Sequence, residues 1–364
     1  MEGWKEYKLD EFVHINPSIL LSRKNEYFYI EMQDMDPTRK LAFPKRKRPL
    51  QGGSRFKEGD TLFARISRCL EKGNINQARG LGEEFGFGST EFLVFRERDG
   101  ISDGDFITYL SKYDAVKDYG ANNLQGTSGR QRVSKEAFYE LELLLPPLPE
   151  QKTIASVLSS LDDKIDLLHR QIKTLEQLAE TLFRQWFVEE ANESREVGTL
   201  GDLVEVKYGK DHKKLEDGNI PVYGSGGVMR YADQALFEDE SVLIPRKGSL
   251  NNVLYVNEAF WTVDAMFFTL MKKPNIAKFV YHFVKAQDLA SMNVGSAVPS
   301  MTTVVLNNMP VEIPSPEVFE KYEAATSPLY EKRASNLKQI KNLTSLRDTL
   351  LPKLMSGEVR VEME

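Results

Sequence analysis

The stretch LPEQKTIASVLSSLDDKIDLLHRQIKTLEQLAETLFRQWF, residues 148–187, decides how the chain is organised. Its apolar residues recur in alternating steps of four and three, which is the spacing of a heptad seam along one face of an α-helix. Pro149 lies in the first turn, where a missing N–H is tolerated, and no glycine or further proline follows before Gly198. The pattern predicts one long helix of roughly 37 residues, a rod about 55 Å long. A helix with such a seam needs a second helix to pack against.

A second copy of this stretch lies 168 residues further along the chain. Residues 145–182 align without a gap with residues 313–350, and the matched positions include apolar residues of the seam. The repeat predicts a second long helix that begins after Ser315 and ends near Gly357, and it gives the first helix a partner. The residues expected to pair the two helices are Leu158, Leu161, Ile165, Leu168, Ile172, Leu175 and Leu182 in the first helix and Leu329, Ile340, Leu343, Leu350 and Leu354 in the second.

Three polar residues interrupt the seam of the second helix: Arg333, Asn336 and Arg347. A polar residue at a seam position fixes the register of a coiled coil at some cost in stability. The same residues could instead face a partner subunit. The sequence leaves both interpretations open.

The segments before the two long helices also match each other, although more loosely. GDTLFAR resembles ESVLIPR, STEFLVF resembles TVDAMFF, and FITYL resembles FVYHF. Each copy alternates short β-branched and aromatic runs with glycine and asparagine turns, with helical segments near residues 103–117 and 276–289. The expected fold class is α/β or α+β with mainly antiparallel sheets. The predicted boundaries are a first domain (1–147), a first long helix (148–192), a second domain (193–315), a second long helix (316–357) and a C-terminal tail (358–364).

The order domain, helix, domain, helix has a geometric consequence. If the long helices pack antiparallel, the domain before each helix lies at the opposite end of the rod, and the halves are related by an approximate two-fold axis. Double-stranded DNA has two-fold axes too, so such a protein could place one domain on each of two half-sites. The two domains differ in sequence, so the half-sites should differ.

Composition indicates globular domains without membrane insertion. The chain has 364 residues, of which 41% are hydrophobic and 28% charged, and this suits two or three domains. The net charge of the chain is −6, and residues 146–196, with 10 acidic and 6 basic residues, carry most of it. The domains themselves are therefore near neutral, which is compatible with DNA binding. No apolar run reaches the roughly 18 to 20 residues of a membrane span. With the single Cys69 and no signal-peptide pattern, the expected location is the cytoplasm.

These segments resemble the specificity subunit of type I restriction-modification enzymes. The resemblance rests on the two helical stretches, the second ending in TLLPKLMSGEVRV, and on domain segments such as FKEGDTLFARI, FGSTEFLVFR and IPVYGSGGVMRYAD. It covers nearly the whole chain, although the chain is short for the family. It implies two target recognition domains that read a bipartite, asymmetric sequence in double-stranded DNA, held apart by helices that set the gap and dock two modification subunits.

The resemblance also implies where the chemistry of the complex resides. The chain itself would be non-catalytic and hold no cofactor. The modification subunits would carry S-adenosylmethionine, and restriction subunits would carry ATP and Mg²⁺. The assembled complex would then be an adenine-specific DNA methyltransferase and an ATP-dependent endonuclease.

Candidate DNA-binding residues lie in basic clusters and polar turns. KRKR, residues 45–48, suits phosphates, with a solvated loop as the alternative. Arginines after the strand DTLFA and in the loop GTSGRQRVS suit base edges, because Arg pairs with guanine and Gln with adenine. In the second domain the turns could equally be ordinary hairpins. The candidates are Lys45, Arg46, Lys47, Arg48, Arg65, Arg68, Arg130, Gln131, Arg132, Tyr223, Ser225, Arg230, Arg246, Lys247, Ser249, Asn251 and Asn252.

The sequence carries no recognisable catalytic motif. YGSGGVM lacks the Lys-Ser/Thr of a P-loop, and four dispersed histidines with one cysteine give no metal-ligand spacing. The Asn/Asp-Pro-Pro-aromatic motif of amino-group methyltransferases is also missing. A non-catalytic recognition subunit is therefore the leading hypothesis. Two alternatives remain open: an autonomous nuclease whose acidic site has no motif, and a purely structural coiled-coil scaffold.

Overall fold

The computed structural model describes residues 3–22, 25–127, 130–189, 195–293 and 299–361. The chain divides into two compact units. The first unit consists of Met1–Arg170 and Asn336–Glu364, and the second consists of Gln171–Ser335. Each unit therefore joins one of the two predicted domains to part of each long helix.

The first unit mixes strands and helices, as the predicted α/β or α+β fold class requires. Its elements in chain order are β1 (Lys5–Lys8), α1 (Leu9–Phe12), β2 (Val13–Ile15), β3 (Glu26–Ile30), β4 (Leu41–Ala42), β5 (Arg46–Pro49), β6 (Arg55–Lys57), β7 (Thr61–Ala64), α2 (Ser67–Glu71), β8 (Ile75–Ala78), β9 (Phe85–Gly88), β10 (Phe92–Glu97), α3 (Gly104–Lys112), α4 (Asp114–Asn122), β11 (Leu124–Gln125), β12 (Arg132–Val133), β13 (Glu142–Leu145) and the first part of α5 (Leu148–Arg184).

Strand β7 lies at the centre of the first unit. The main sheet has the order β2-β10-β7-β8-β4, and a second sheet has the order β5-β3-β9-β6. Leu62 packs with Ile30 and Phe56 on one face of β7, whereas Phe63 packs with Phe106 on the other. A strand that is buried on both faces requires an uninterrupted apolar run, which explains the sequence TLFA. Most strand pairs are antiparallel, as predicted, but β3 with β9 and β4 with β8 are parallel.

The second unit follows the same plan. Its elements are β14 (Glu196–Thr199), α6 (Leu200–Leu203), β15 (Val204–Tyr208), β16 (Asp217–Gly224), β17 (Gly227–Ala232), β18 (Ser241–Pro245), β19 (Leu254–Val256), β20 (Trp261–Thr262), β21 (Met266–Met271), α7 (Ala277–Lys285), α8 (Thr303–Asn307), β22 (Pro310–Ile313) and the first part of α9 (Pro316–Met355).

Sheet topology confirms the repeat that the sequence predicts. The order β15-β21-β18-β19 in the second unit matches β2-β10-β7-β8 in the first, and β17-β16-β20 matches β5-β3-β9. Even the parallel pairing is kept, between β16 and β20 as between β3 and β9. The first strand of each unit pairs with its last one, β1 with β13 and β14 with β22. Strand β18 is the counterpart of β7 and is buried at all five positions.

Both predicted long helices are present, and they run antiparallel within each unit. In the first unit Asp162 of α5 pairs with Arg347 of α9, and Leu158 shares a core with Leu354. In the second unit Glu176 of α5 pairs with Arg333 of α9 at 2.7 Å. The partners advance along α5 while they recede along α9. Of the two interpretations left open for the polar seam residues, Arg333 and Arg347 therefore support the one in which they fix register.

Burial along α9 differs from a simple leucine seam. Asn336 is fully buried and Arg347 nearly so, whereas Ile340 is only half-buried. The predicted pairing residues Leu158, Ile165, Leu168, Ile172 and Leu354 are buried, and the other seven are half-buried. Arg347 can be buried because Asp162 on the facing helix compensates its charge. In the described part of the chain, no helix is long and apolar enough to cross a membrane.

A buried histidine connects α7 with both long helices in the second unit. The Nε2 atom of His282 lies 2.8 Å from the Tyr330 hydroxyl, and the imidazole stacks on the Phe183 ring. Burial, followed by the positive charge of Lys285, lowers the pKa of His282 to about 3. An unfolded histidine takes up a proton near pH 6.5, so the folded state loses stability as the pH falls below that value. The loss amounts to about 2 kcal/mol at pH 5.

We expect the melting temperature of the second unit to fall between pH 7.5 and pH 5, with His282 as a main cause. The variant His282→Gln keeps a polar group near Tyr330 but cannot take up the proton. Its melting temperature should therefore fall less over the same range, as measured by calorimetry. An equal fall in the parent and the variant would contradict this assignment.

Candidate functional site

In the first unit, three chain segments meet at the end of β7. The Ser67 amide donates to the Gln131 carbonyl oxygen (3.0 Å), and the Val133 amide donates to the Arg65 carbonyl oxygen (2.9 Å). The Arg65 amide donates to the Glu91 carbonyl oxygen (2.9 Å). The backbone thus brings together two predicted groups of base-reading candidates, those at 65–68 and those at 130–132.

The arginines near the end of β7 differ in whether their side chains already have partners within the protein. The Arg65 side chain is half-buried, and its Nε has no hydrogen-bond partner among the described residues. Arg68 and Arg130 are exposed, and within the described ranges neither forms an ion pair. Arg132 instead grips the Glu91 carboxylate through Nε and Nη2, each at 2.7 Å. This leaves Arg65, Arg68 and Arg130 as the cations available to a ligand.

We expect Arg68→Ala and Arg130→Ala to weaken DNA binding about two- to tenfold at physiological salt, because each removes an unpaired cation. Their melting temperatures should stay at the parental value. Arg132→Ala should instead lower stability, because it leaves the Glu91 carboxylate without its bidentate partner. The matched control for binding is Lys57→Ala. Lys57 is exposed and lies before the start of β7, at the end opposite to Arg65. Equal effects of Arg68→Ala and Lys57→Ala on affinity would contradict the location of the site.

The KRKR cluster has carboxylate partners of its own. Lys45 pairs with Asp34 at 2.7 Å, Arg46 with Glu31, and Lys47 with Glu84 at 2.6 Å. Arg48 lies over the Tyr29 ring, 4.4 Å from its centre. These acids reduce the net positive charge of β5. The cluster lies on a different sheet from β7, so the structure does not join it to the arginines above. Phosphate contact by Lys45, Arg46, Lys47 and Arg48 stays a prediction.

In the second unit, the loop after β18 meets the β16–β17 turn. The Asn252 side-chain amide donates to the Ser225 carbonyl oxygen (2.7 Å). Gly248, with φ of +87°, comes so close that a Cβ there would lie 3.1 Å from the Ser225 Oγ. Asn251 accepts from the Ala290 amide through Oδ1 (3.0 Å). The candidates Ser249, Asn251 and Asn252 line a cleft of about 280 Å³, and Asn252 connects Ser225 to them.

Arg246 and Lys247 are the first two residues of the loop after β18. Arg246 directly follows β18, as Arg65 directly follows β7. Its guanidinium donates to the Asp264 carbonyl oxygen (3.1 Å) and lies over the Tyr208 ring, 5.3 Å from its centre. Lys247 is exposed and has no carboxylate partner among the described residues. No acid within the described ranges neutralises either cation, so both are available to an anionic ligand.

Two other candidates of the second domain, Arg230 and Tyr223, use their side chains in hydrogen bonds within the protein. The Arg230 guanidinium donates to the carbonyl oxygens of Leu215 and Glu216. The Tyr223 hydroxyl donates to Glu258 (2.9 Å), and burial, reinforced by that carboxylate, raises the pKa of Tyr223. Both side chains hold the β16–β17 hairpin in place. A DNA contact by either stays a prediction.

Residues 208–210 belong to the same site, because Tyr208 contacts Arg246, and they were not predicted. The Lys210 amide donates to the Thr262 carbonyl oxygen (2.9 Å), and the Trp261 indole donates to the Lys210 carbonyl oxygen (3.0 Å). Gly209 permits this approach, since a Cβ there would lie 2.1 Å from the Val263 carbonyl oxygen. Tyr208 precedes it and stacks under Arg246. The signal in the sequence was Gly209, which stands between strand β15 and Lys210.

The fold and these loops define a two-copy binding protein, with an arginine at the end of the central strand in each copy. Residues 1–177 and 192–346 both match the family described as type I restriction modification DNA specificity domain. The chain therefore belongs to this family and carries two copies of its domain.

Named relatives agree with this membership. The MjaIX specificity subunit of Methanocaldococcus jannaschii is 25% identical over 308 residues, which cover 73% of this chain and 71% of that protein. The EcoAI specificity subunit of Escherichia coli is 28% identical over 190 residues, which cover 50% of this chain and 32% of that protein. The crystal structure of an S subunit from M. genitalium matches 99% of this chain and 97% of that one at a TM-score of 0.55 and 20% identity, which shows a shared fold. Neither the nuclease nor the scaffold alternative gains support.

Proposed function

We propose that this chain reads DNA as the specificity subunit of a type I restriction-modification enzyme, with each unit reading one half of a bipartite, asymmetric site. The observation that carries the proposal is the equivalence of Arg65 and Arg246. Each directly follows the central, fully buried strand of its copy, at the meeting point of polar loops. A rigid strand end positions a planar guanidinium well for bidentate contact with guanine.

The two loop sets are chemically different, so the two half-sites should differ. The first unit offers Arg65, Arg68 and Arg130 with Gln131, whereas the second offers Arg246 and Lys247 with asparagine and serine side chains. Arginine and lysine favour guanine, while glutamine and asparagine favour adenine. An asymmetric recognition sequence follows from that difference.

The partners of the chain belong to the same proposal. A net charge of −6 limits the affinity of the isolated chain for DNA, so two modification subunits are expected to help enclose the duplex. Those subunits would hold S-adenosylmethionine, and restriction subunits would hold ATP and Mg²⁺. As a specificity subunit, this chain contributes recognition and no catalysis. Its proposed place of action is the cytoplasm.

Changing Arg246 or Lys247 to Ala should alter only one half-site. We expect the reconstituted complex to lose about 1–3 kcal/mol of discrimination at one or two base pairs of that half, and none in the other. Lys273→Ala is the matched control, since Lys273 is an exposed lysine beyond the far end of β21, and β21 pairs with β18. The measurement is methylation of a library in which each half-site is randomised. Altered preference in both halves would contradict the assignment of one half-site to each unit.

A further inference from the structure

Two equivalent helices, α3 and α7, attach the recognition domains to the long helices. Each has nine residues, and the segments FITYL and FVYHF align Tyr109 with His282 and Asp105 with Lys278. On the long helices, the 168-residue repeat aligns Asp162 with Tyr330. The two units can therefore be compared contact by contact.

In the first unit the attachment is a buried charged triad. The Tyr109 hydroxyl donates to Asp162 Oδ2 at 2.6 Å, and Arg347 Nη1 donates to Asp162 Oδ1 at 2.7 Å. Asp162 and Tyr109 are 4% and 1% exposed. Arg347 also donates to the Thr38 carbonyl oxygen (2.9 Å), so the same guanidinium holds a loop of the domain.

In the second unit the same positions carry a neutral pair. The Tyr330 hydroxyl lies 2.8 Å from His282 Nε2, which repeats the contact between Tyr109 and Asp162 with different groups. The position equivalent to Arg347 is Ala179, which is buried. The contact is conserved in place, while its chemistry has changed.

A second contact lies beside the first, and here α3 and α7 carry opposite charges. In the first unit the acid belongs to α3: Asp105 pairs with Lys40 at 3.0 Å, and Lys40 donates to Ser159 of α5 (2.7 Å). In the second unit the base belongs to α7: Lys278, 3% exposed, pairs with Glu240 at 3.3 Å and with Glu323 of α9. The residue equivalent to Glu323 on α5 is Ala155.

We propose that these two contact sets are not interchangeable, and that each holds its recognition domain at one angle on its own segment of the helix pair and so fixes the spacing of the half-sites. This rests on the function proposed above. Only residues 146–147 separate β13 from α5, and only residues 314–315 separate β22 from α9, so the chain itself keeps each domain beside its own helix segment. The contacts add the angle at which each domain sits on that segment. The two sets cannot replace each other, because Asp105 stands where the second unit has Lys278, and Ala155 stands where it has Glu323. A residue of one set placed in the other unit would therefore leave a buried polar group without its partner, which is unfavourable.

The test transplants the Tyr330–His282 contact of the second unit into the first unit of the full chain, reconstituted with two modification subunits. The mismatched variant is Asp162→Tyr with Arg347→Ala, and the matched variant adds Tyr109→His. Methylation rates are measured on the two half-sites separated by the parental gap and by gaps one and two base pairs longer or shorter. We expect the mismatched variant to be at least about tenfold slower on the parental site and to accept other gaps, because a buried hydrogen-bonding partner is lost. The matched variant should recover the parental gap preference and most of the rate.

Tyr109→Phe gives a milder test in a chain that keeps its packing. It removes only the hydroxyl that contacts Asp162, so the gap preference should broaden while the half-site sequences stay the same. Equal behaviour of the mismatched and matched variants would overturn the proposal, as would a Tyr109→Phe chain with the parental gap preference. A uniform loss of methylation at every gap, together with a lower melting temperature, would also overturn it in favour of a purely structural contact. Failure of the parental complex to methylate any bipartite site would instead refute the proposed function.

Discussion

Inserting one heptad into each long helix should lengthen the gap of the recognised DNA site by about three base pairs. Seven residues add about 10.5 Å to a helix, and B-DNA rises 3.4 Å per base pair, for helices that run along the duplex. The insertions belong between Asp162 and Glu176 in α5 and between Arg333 and Arg347 in α9. Both ion pairs between the helices are then kept in register. The two half-site sequences should not change.

The longer protein should methylate its new site more slowly than the parent methylates its own. Three base pairs also rotate the second half-site by roughly 100° on a helical turn of about 10.5 base pairs. The control is a heptad inserted into α5 alone, which prevents the two ion pairs from forming together and should abolish recognition. The methylation pattern of the reconstituted complex is the readout. An unchanged gap with both insertions would show that the helices do not set the spacing.

Arg347→Ala should cost more stability than any other single substitution considered for this chain. It leaves the Asp162 carboxylate, which is 4% exposed, with the Tyr109 hydroxyl as its hydrogen-bond donor among the described residues. Removing one member of a buried ion pair costs about 3–5 kcal/mol, because the other charge stays buried without compensation. We therefore expect the free energy of unfolding of the first unit to fall by that amount in denaturant titrations.

Two control variants identify the cause of this loss. In the double variant Asp162→Asn with Arg347→Met neither charge remains, so much of the lost stability should return. Arg184→Ala removes an ion pair with Glu189 in which both side chains are more than half exposed, and it should cost less than about 1 kcal/mol. A double variant no more stable than Arg347→Ala would contradict the electrostatic explanation.

The long helices and the repeat could be predicted because their signals are local. The heptad spacing of residues 148–187 and its copy 168 residues later require no knowledge of distant contacts. The resemblance to a known family then supplied the function. The apolar run before Arg65 matched the run before Arg246, and both proved to be central buried strands. Strong local patterns therefore located the two most important loops.

What could not be predicted depends on residues that are far apart in the chain. The acids that pair with Lys45, Arg46 and Lys47 come from separate segments, so KRKR looked more positive in the sequence than its surroundings make it. The parallel pairing of β3 with β9 joins Phe28 to Gly86 and has no local signal. The depth of Arg347 was also unexpected, since its partner lies 185 residues away.

Methylation mapping of DNA treated with the reconstituted complex tests the central claim most directly. The account predicts a single motif with two different half-sites and one fixed gap. It also predicts that replacing residues 193–315 with the corresponding domain of another specificity subunit changes one half-site and leaves the other half and the gap unchanged. A continuous or palindromic motif, or a replacement that alters both halves, would contradict recognition by two independent domains on a helical spacer.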